Sequence, residues 1–347
     1  MRRYFAKRKQ FIWLPYVKSI DLSGKSVKFS YKGGELDLSF PEIHSIMFYG
    51  SVCPLEQEFL EKCSAWGIPL TIHRRNMPRG VWIVPSTTSN REDLLTKQIL
   101  FRQNEKKRAY ITKRLIYAKF KSMEWLIPAP TQELQGLSSV ESIVGVESWH
   151  AKRYWEHFYK SLGYPKDRRR SKGNFICNVL DASSKFVSGI ILRWVVYHHF
   201  SPFHGYTHTP SDYPSLIYDL MEPYRGFIDG VAFNTIKEIQ ENGGDESKTL
   251  PYTMENLKDF MDTEIYVAAT RQTATFQELY HGLILGLRSY LLGNKRFIVP
   301  FPGKPSGGRP VKAGYKLYGR FAGKTDFWPE SRDIAKTFQQ KFSIRLE

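Results

Sequence analysis

The first third of the chain has a period of two. In "SVKFSY" (26–31) and "ELDLSF" (35–40) apolar and polar residues alternate on either side of "KGG" (32–34). That is the pattern of two half-buried strands joined by a tight glycine turn. "EIHSIMFYG" (42–50) predicts another strand, and "IPLTIH" (68–73) and "GVWIVP" (80–85) predict two more around the basic turn "RRNMPR" (74–79). Between them, "PLEQEFLEKCSAWG" (54–67) changes period: Leu55, Phe59, Cys63 and Trp66 recur at helical spacing, with Pro54 as the start and Gly67 as the stop. The result is a compact β-rich unit with one packed helix.

At "PSTTSNRED" (85–93) the chain turns polar, which marks a domain boundary, and Ser89 or Asn90 is placed to cap a helix starting near residue 94. Helical spacing then governs 94–127, 141–160, 173–200, 215–242, 252–268 and 274–292. The most apolar run, "FVSGIILRWVVYHHF" (186–200), is short for a bilayer and carries Arg193 in its middle, so it reads as a buried helix. From Lys295 to Phe327 Gly, Pro, Lys and Arg dominate, which predicts a loop or flexible arm with room for a short strand pair; a last helix is expected over 329–343. The expected fold class is therefore α+β. A β-rich N-terminal domain (1–86) precedes a larger, mainly α-helical domain (87–294) and a basic Gly/Pro-rich arm with a C-terminal helix (295–347).

Composition narrows the function. With 41% hydrophobic residues in 347 the chain can bury a substantial core, and 51 Lys and Arg against 34 Asp and Glu leave a net charge of +17. Such a field draws polyanions, nucleic acid first and an anionic membrane surface second; no signal peptide precedes the first strand. Cys53, Cys63 and Cys177 form no C-x-x-C pair and are odd in number, which argues against a zinc knuckle or a disulfide framework and fits a reducing cytoplasm.

Within this basic chain "HTPSDYPSLIYDLMEPYRGFID" (208–229) gathers His208, Asp219, Glu222 and Arg225. Asp219 and Glu222, three apart before Pro223, can be a capping pair at a helix start, or two carboxylates of a metal site. The turn "TPSDYP" (209–214) lets the chain bring His208 back beside them. His198, His199 and His204 lie close by, so binding of a metal by histidines alone is a rival, although Gly205 and the absence of H-E-x-x-H weaken it. Glu147 opens an amphipathic helix, "GVESWHAKRYWEHFYK" (145–160), with Lys152 and Arg153 one turn on and aromatic residues interleaved. Two carboxylates and an imidazole from separate elements, Glu147, His208 and Glu222, suit Mg²⁺ or Mn²⁺ better than a structural zinc. Arg225, one turn past Glu222, is placed to contact a scissile phosphate. Elsewhere "PKDRRRSKGN" (165–174) concentrates Arg168, Arg169 and Arg170 for phosphate contact, and Lys106 to Lys121 spread seven basic residues around a helix.

"GVESWHAKRYW" (145–155), "GYTH" (205–208) and "PSLIYDLMEPYRGFID" (214–229), in that order and spacing, resemble the signature of the CRISPR-associated endonuclease/integrase family that inserts new spacers in CRISPR adaptation. "IHSIMFYGSVCPLEQEFLEKCSAWGIPLTIHRRN" (43–76) is similar to the same family's β domain, and the resemblance runs over about residues 20 to 295. It implies dimerisation through the β-rich domain, a homodimer or higher assembly, and Mg²⁺ or Mn²⁺ held by Glu147, His208 and Glu222, with Asp219 supporting them. It also implies strand transfer, in which a 3′-hydroxyl of a short double-stranded DNA fragment attacks a phosphodiester at a CRISPR repeat. A small CRISPR-associated partner protein, a prokaryotic cytoplasm and no membrane complete the expectation. Ser148 and Trp149 come after Glu147 where the family often carries Gly. Two alternatives stay open: a metal-dependent nuclease of branched DNA that does not integrate, and a non-catalytic nucleic-acid-binding scaffold.

Overall fold

The structure is a computed structural model and describes residues 9–75, 77, 80–85, 93–165, 174–267, 272–302 and 309–310. The N-terminal unit comprises β1 (Gln10–Pro15), β2 (Ser19–Ser23), β3 (Ser26–Tyr31), β4 (Gly34–Ser39), β5 (Ile43–Tyr49), α1 (Gln57–Ala65), β6 (Leu70–His73) and β7 (Val81–Ile83). β2, β3 and β4 form an antiparallel meander, while β1, β5, β6 and β7 form a second sheet in which β5 runs parallel to both of its neighbours. Every residue of β5 is buried because both faces of its sheet are covered. Ile43, Ile46 and Phe48 join a local core with Val27, Phe29 and Phe59, and Met47 and Tyr49 join the main helical core.

The helical part consists of α2 (Leu94–Gln103), α3 (Glu105–Met123), α4 (Val140–Ser161), α5 (Phe175–Tyr197), α6 (Ser215–Met221), α7 (Arg225–Glu241), α8 (Thr249–Asp262) and α9 (Phe276–Leu291). A short antiparallel pair, β8 (Glu264–Val267) and β9 (Gln272–Thr275), precedes α9, and β10 (Arg309–Pro310) pairs with β9. α5 is long and apolar enough to cross a membrane, but most of its apolar stretch is buried within this fold. Arg193 explains how a guanidinium sits there at 1% exposure: it donates to the carbonyls of His44 at 2.6 Å, Ile43 at 3.4 Å and Trp66 at 3.5 Å. A buried charge is tolerated when it is hydrogen-bonded, and here the bonds of its two terminal nitrogens fasten α5 to the N-terminal unit.

The expected elements are present, with differences: α1 starts at Gln57 and not at Pro54, and the helix expected over 215–242 is divided by a 3-10 turn at Glu222–Tyr224. β1 and β2 lie in the first 23 residues, for which no element was expected. The helix expected over 94–127 is broken at Asn104, which leaves helical conformation and accepts a hydrogen bond from the Lys107 amide at 3.0 Å, so one long pattern becomes α2 and α3. Asp93, and not Ser89 or Asn90, caps α2; those two lie outside the described residues. The helix expected over 252–268 ends at Asp262, and β8 takes up its tail. The arm expected from 295 is not loose at its start: Phe297, Ile298, Val299 and Phe301 are buried, and Tyr224 donates to the Pro300 carbonyl at 2.5 Å. The last helix expected over 329–343 lies outside the described residues.

α7 crosses α3 at Gly226 so closely that a Cβ there would fall onto the Ser122 carbonyl. The Gly226 amide donates to Ser122 Oγ at 3.0 Å and its carbonyl accepts from Trp125 Nε1 at 2.8 Å, so neither backbone can yield without breaking bonds. Gly226→Ala is therefore expected to destabilise the fold by about 1–3 kcal/mol. Gly145→Ala, in open space on α4, should instead be neutral or stabilising by up to about 1 kcal/mol. Denaturant midpoints of the two variants check both.

Candidate active site

Four elements converge on one point. α4 carries Glu147, α3 carries Lys119, the loop between α5 and α6 carries His208, and the 3-10 turn Glu222–Tyr224 between α6 and α7 carries Glu222. That turn exists because Pro223 comes directly after Glu222: a helix continuing from α6 would lose a backbone hydrogen bond at Pro223, and the chain tightens there before α7 begins. Lys119 Nζ lies 2.5 Å from Glu147 Oε1 and 2.5 Å from Glu222 Oε2. The first contact is a hydrogen bond; the second lacks hydrogen-bond alignment, so Glu222 Oε2 is a buried oxygen held by charge.

Asp219 is wholly buried and is not a helix cap. One carboxylate oxygen accepts from the amides of Tyr206 and Thr207, the second at 2.9 Å; the other oxygen accepts from the amide of His208 at 3.0 Å and from His208 Nδ1 at 2.7 Å. Three amides and an imidazole thus wrap one carboxylate, and the capping-box reading of D-x-x-E is overturned. Gly205 permits this wrap, because a Cβ there would come within 2.8 Å of Asp219 Oδ2 and 2.7 Å of the His208 carbonyl. The loop is also held from outside. Gln98 donates to the carbonyls of Ser201 at 2.9 Å and His204 at 2.7 Å, Arg108 donates to the Tyr206 carbonyl at 2.7 Å, and Arg102 bonds His204 Nδ1 and the Thr209 carbonyl. With Nδ1 turned to Asp219, His208 has Nε2 as its remaining ring nitrogen, on a side chain that is 38% exposed.

The electrostatics reflect these contacts. Burial pulls the His208 imidazole down, but the Asp219 hydrogen bond and charge, with help from Glu222, outweigh it and leave its pKa raised. Burial pushes Glu222 up, yet Lys119, His208 and Arg225 hold its carboxyl below the ordinary range. Lys119 is raised: burial opposes its charge, and the two carboxylates more than compensate.

The other expected site residues fall in different places. Arg225, beside Glu222, directs Nε to Asp229 Oδ1 at 3.0 Å, and its side chain is 13% exposed. Lys152 and Arg153 are exposed on the outer side of α4, where Arg153 lies over the Trp149 ring at 4.7 Å; Ser148 is exposed as well. Arg168, Arg169 and Arg170 lie outside the described residues. The crowded histidines separate, since His204 bonds Arg102 and His198 bonds His281 at 2.9 Å, Nε2 to Nε2. Among the described residues no three His, Cys, Asp or Glu side chains form a cluster ready to hold a metal ion. The donor chemistry nevertheless fits one: two carboxylates already share a cation, and an imidazole has its second nitrogen committed to a carboxylate, the arrangement that orients metal-bound histidines. Lys119 is the member of this centre that the sequence pattern concealed, grouped as it was with the solvated basic face of α3. The signal was there, since it falls four residues after Leu115 and three after Ile116, on the apolar face.

The fold and this centre define a class, a β-rich unit joined to a helical domain with buried carboxylates and a histidine at its heart. The family model described as CRISPR associated protein Cas1 matches residues 15–255, more than half of the chain, and the chain belongs to the Cas1 family, a family of CRISPR-associated integrases and nucleases. Among solved structures, a casposase bound to integration product is similar with 17% identity and a TM-score of 0.71, over 83% of this chain and 92% of that one. A Cas1 protein from Thermotoga maritima is similar with 17% identity and a TM-score of 0.68, over 84% and 98%. The TtCas1–DNA complex is similar with 15% identity and a TM-score of 0.61, over 86% and 98%. These likenesses carry the fold. A search of the curated proteins finds no match.

A raised folded-state pKa stabilises the fold most below the ordinary histidine value of 6.5, and that contribution is lost as pH rises through the raised value. In the metal-free protein, the NMR titration midpoint of His208 should therefore lie above 6.5. Asp219→Asn should lower it and loosen amide-exchange protection at Tyr206 and Thr207. An unchanged midpoint in that variant would show that Asp219 does not set the imidazole's charge.

Proposed function

We propose that the chain is a metal-dependent DNA integrase of CRISPR adaptation, joining 3′-hydroxyl ends of short duplex fragments to a CRISPR repeat by transesterification. The observation that carries this is the convergence of Glu147 and Glu222 on one cation, beside a histidine fixed through its far nitrogen by Asp219. Glu147, Glu222 and His208 Nε2 would hold Mg²⁺ or Mn²⁺. Such an ion, when bound, lowers the cost of ionising the attacking hydroxyl and stabilises charge on the transferring phosphate. Asp219 keeps the proton on Nδ1, so that Nε2 offers its lone pair, and it does so from a site too buried to compete as a ligand itself. A protonated His208 cannot ligate, so its raised pKa makes metal binding weaken as pH falls through that value. Arg225 adds positive charge beside Glu222 while Asp229 fixes its direction.

The net charge of +17 favours duplex DNA as substrate. One structural relative is a Cas6–RT–Cas1–Cas2 complex, with a TM-score of 0.68 and 13% identity. That complex supports a small Cas2-type partner; the homodimer or higher assembly and the prokaryotic cytoplasm are proposed from the family resemblance alone.

The test incubates the protein with a labelled duplex bearing free 3′-hydroxyl ends, a supercoiled plasmid with a repeat array, and Mn²⁺ or Mg²⁺, with and without the small partner. Label should join the plasmid with the wild type and fall below detection for Glu147→Ala, His208→Ala and Glu222→Gln. Asp219→Asn, which acts through His208, should lose about 10- to 100-fold. Nicking without joining would select the branched-DNA nuclease. DNA binding with neither reaction, partner included, would select the scaffold.

A further inference from the structure

The residue that unites the two glutamates is itself a cation. Glu147 and Glu222 come from separate elements and direct oxygens to the same Lys119 Nζ, at 2.5 Å each, and the lysine side chain is 9% exposed. Two carboxylates this close and this sheltered repel one another unless a positive charge lies between them. Lys119 supplies that charge without any added ion. A divalent ion bound by the same oxygens would stand within a few ångströms of the ammonium, so both cannot keep their present partners.

We propose that Lys119 is an exchangeable counter-ion: it holds Glu147 and Glu222 in place in the metal-free protein and is displaced from them by the divalent ion, so that metal affinity is set by this exchange. The inference rests on the reading of Glu147, His208 and Glu222 as the metal-holding set. A lysine suits the task because its ammonium is a compact point charge on a flexible stem and can move without moving the helix. A second observation supplies somewhere for it to go. His150, one turn after Glu147 on the inner face of α4, is 1% exposed, and among the described residues neither of its ring nitrogens has a hydrogen-bond partner. It is also within electrostatic reach of Lys119, and burial together with the Lys119 charge draws its pKa down to about 4. A neutral imidazole accepts a hydrogen bond through one nitrogen, which is what a released ammonium requires.

The test is Mn²⁺ binding by calorimetry to the full chain without DNA, comparing wild type with Lys119→Met. A simple structural ion pair would leave a lysine-free site with equal or poorer affinity. Exchange requires the opposite, about tenfold tighter binding or more, because the competing charge is gone. Lys119→Met should also melt lower than wild type without metal and gain more from Mn²⁺. Equal or weaker affinity in a folded Lys119→Met overturns the proposal. If that variant does not fold, the wild type decides through amine labelling of Lys119 read by mass spectrometry. Labelling several-fold faster with saturating Mn²⁺ supports exchange, and unchanged labelling with Mn²⁺ bound overturns it. Absence of Mn²⁺ binding in both wild type and folded Lys119→Met would overturn the metal-site reading itself, an outcome distinct from binding without exchange.

Discussion

Four carboxylates gathered about this centre are largely sheltered from solvent, and each has to be neutralised or bonded for the fold to exist. Asp219 and Asp229 are at most 1% exposed, and the side chains of Glu147 and Glu222 are 18% and 13% exposed. Removing one partner from such a buried pair costs about 3–5 kcal/mol, a large part of a domain's whole stability. The solutions differ. Asp219 is met by three amides and an imidazole, Asp229 by the Arg225 guanidinium, and the two glutamates by a single shared ammonium. Only the last solution is a point charge on a flexible stem, whereas amide donors and a fixed guanidinium are parts of the fold.

The scaffold for these solutions is α3. Besides Lys119, it carries Ser122, whose hydroxyl receives the Gly226 amide where α7 crosses, and Arg108, which holds the Tyr206 carbonyl beside Asp219. Thr112 accepts from the Thr207 hydroxyl at 3.3 Å in the same loop. One helix therefore touches the loop of His208, the turn of Glu222 and the oxygen of Glu147, which makes their separations a property of helix packing. Interiors pack at crystal-like density, so geometry fixed in this way is held closely. The β-rich unit is coupled to the same framework through α5, where Arg193 joins three carbonyls of that unit.

The fold class was legible in the sequence because the period changes from two to helical spacing near residue 85, and the local rules of burial produce that change directly. What escaped was whatever depended on competition between local and distant partners. Asn104 looks like any polar residue of a long helix until its side chain takes the Lys107 amide. Residues 297–301 look like the start of a loose arm because Gly and Pro come after them, yet their apolar side chains outweigh that signal and enter the core. In the site, Glu147, His208, Asp219 and Glu222 were legible as residue types in a spacing. The role of Asp219 was not: D-x-x-E before Pro is equally the pattern of a cap, and only the fold-back of residues 205–208 distinguishes the two. Lys119 was hidden by its neighbours, because one buried lysine among seven basic residues carries no compositional mark.

The two faces of α4 constrain how DNA can reach this centre. Glu147, His150 and Tyr154 line the inner face at intervals of three and four residues, whereas Trp149, Lys152 and Arg153 fall well away from Glu147 around a helix of 3.6 residues per turn. The exposed Arg153–Trp149 pair therefore faces away from the Glu147 carboxylate, on a different side of α4. Any ligand of this centre has to enter where the site is open. Of the four converging side chains, Lys119, Glu222 and Glu147 are sheltered, and His208 at 38% is the exposed one. The opening thus lies on the side of the 201–214 loop, whose carbonyls are fastened by Gln98, Arg102 and Arg108. A loop tied down in this way is a preformed edge of the site, and it keeps His208 in register with Glu222.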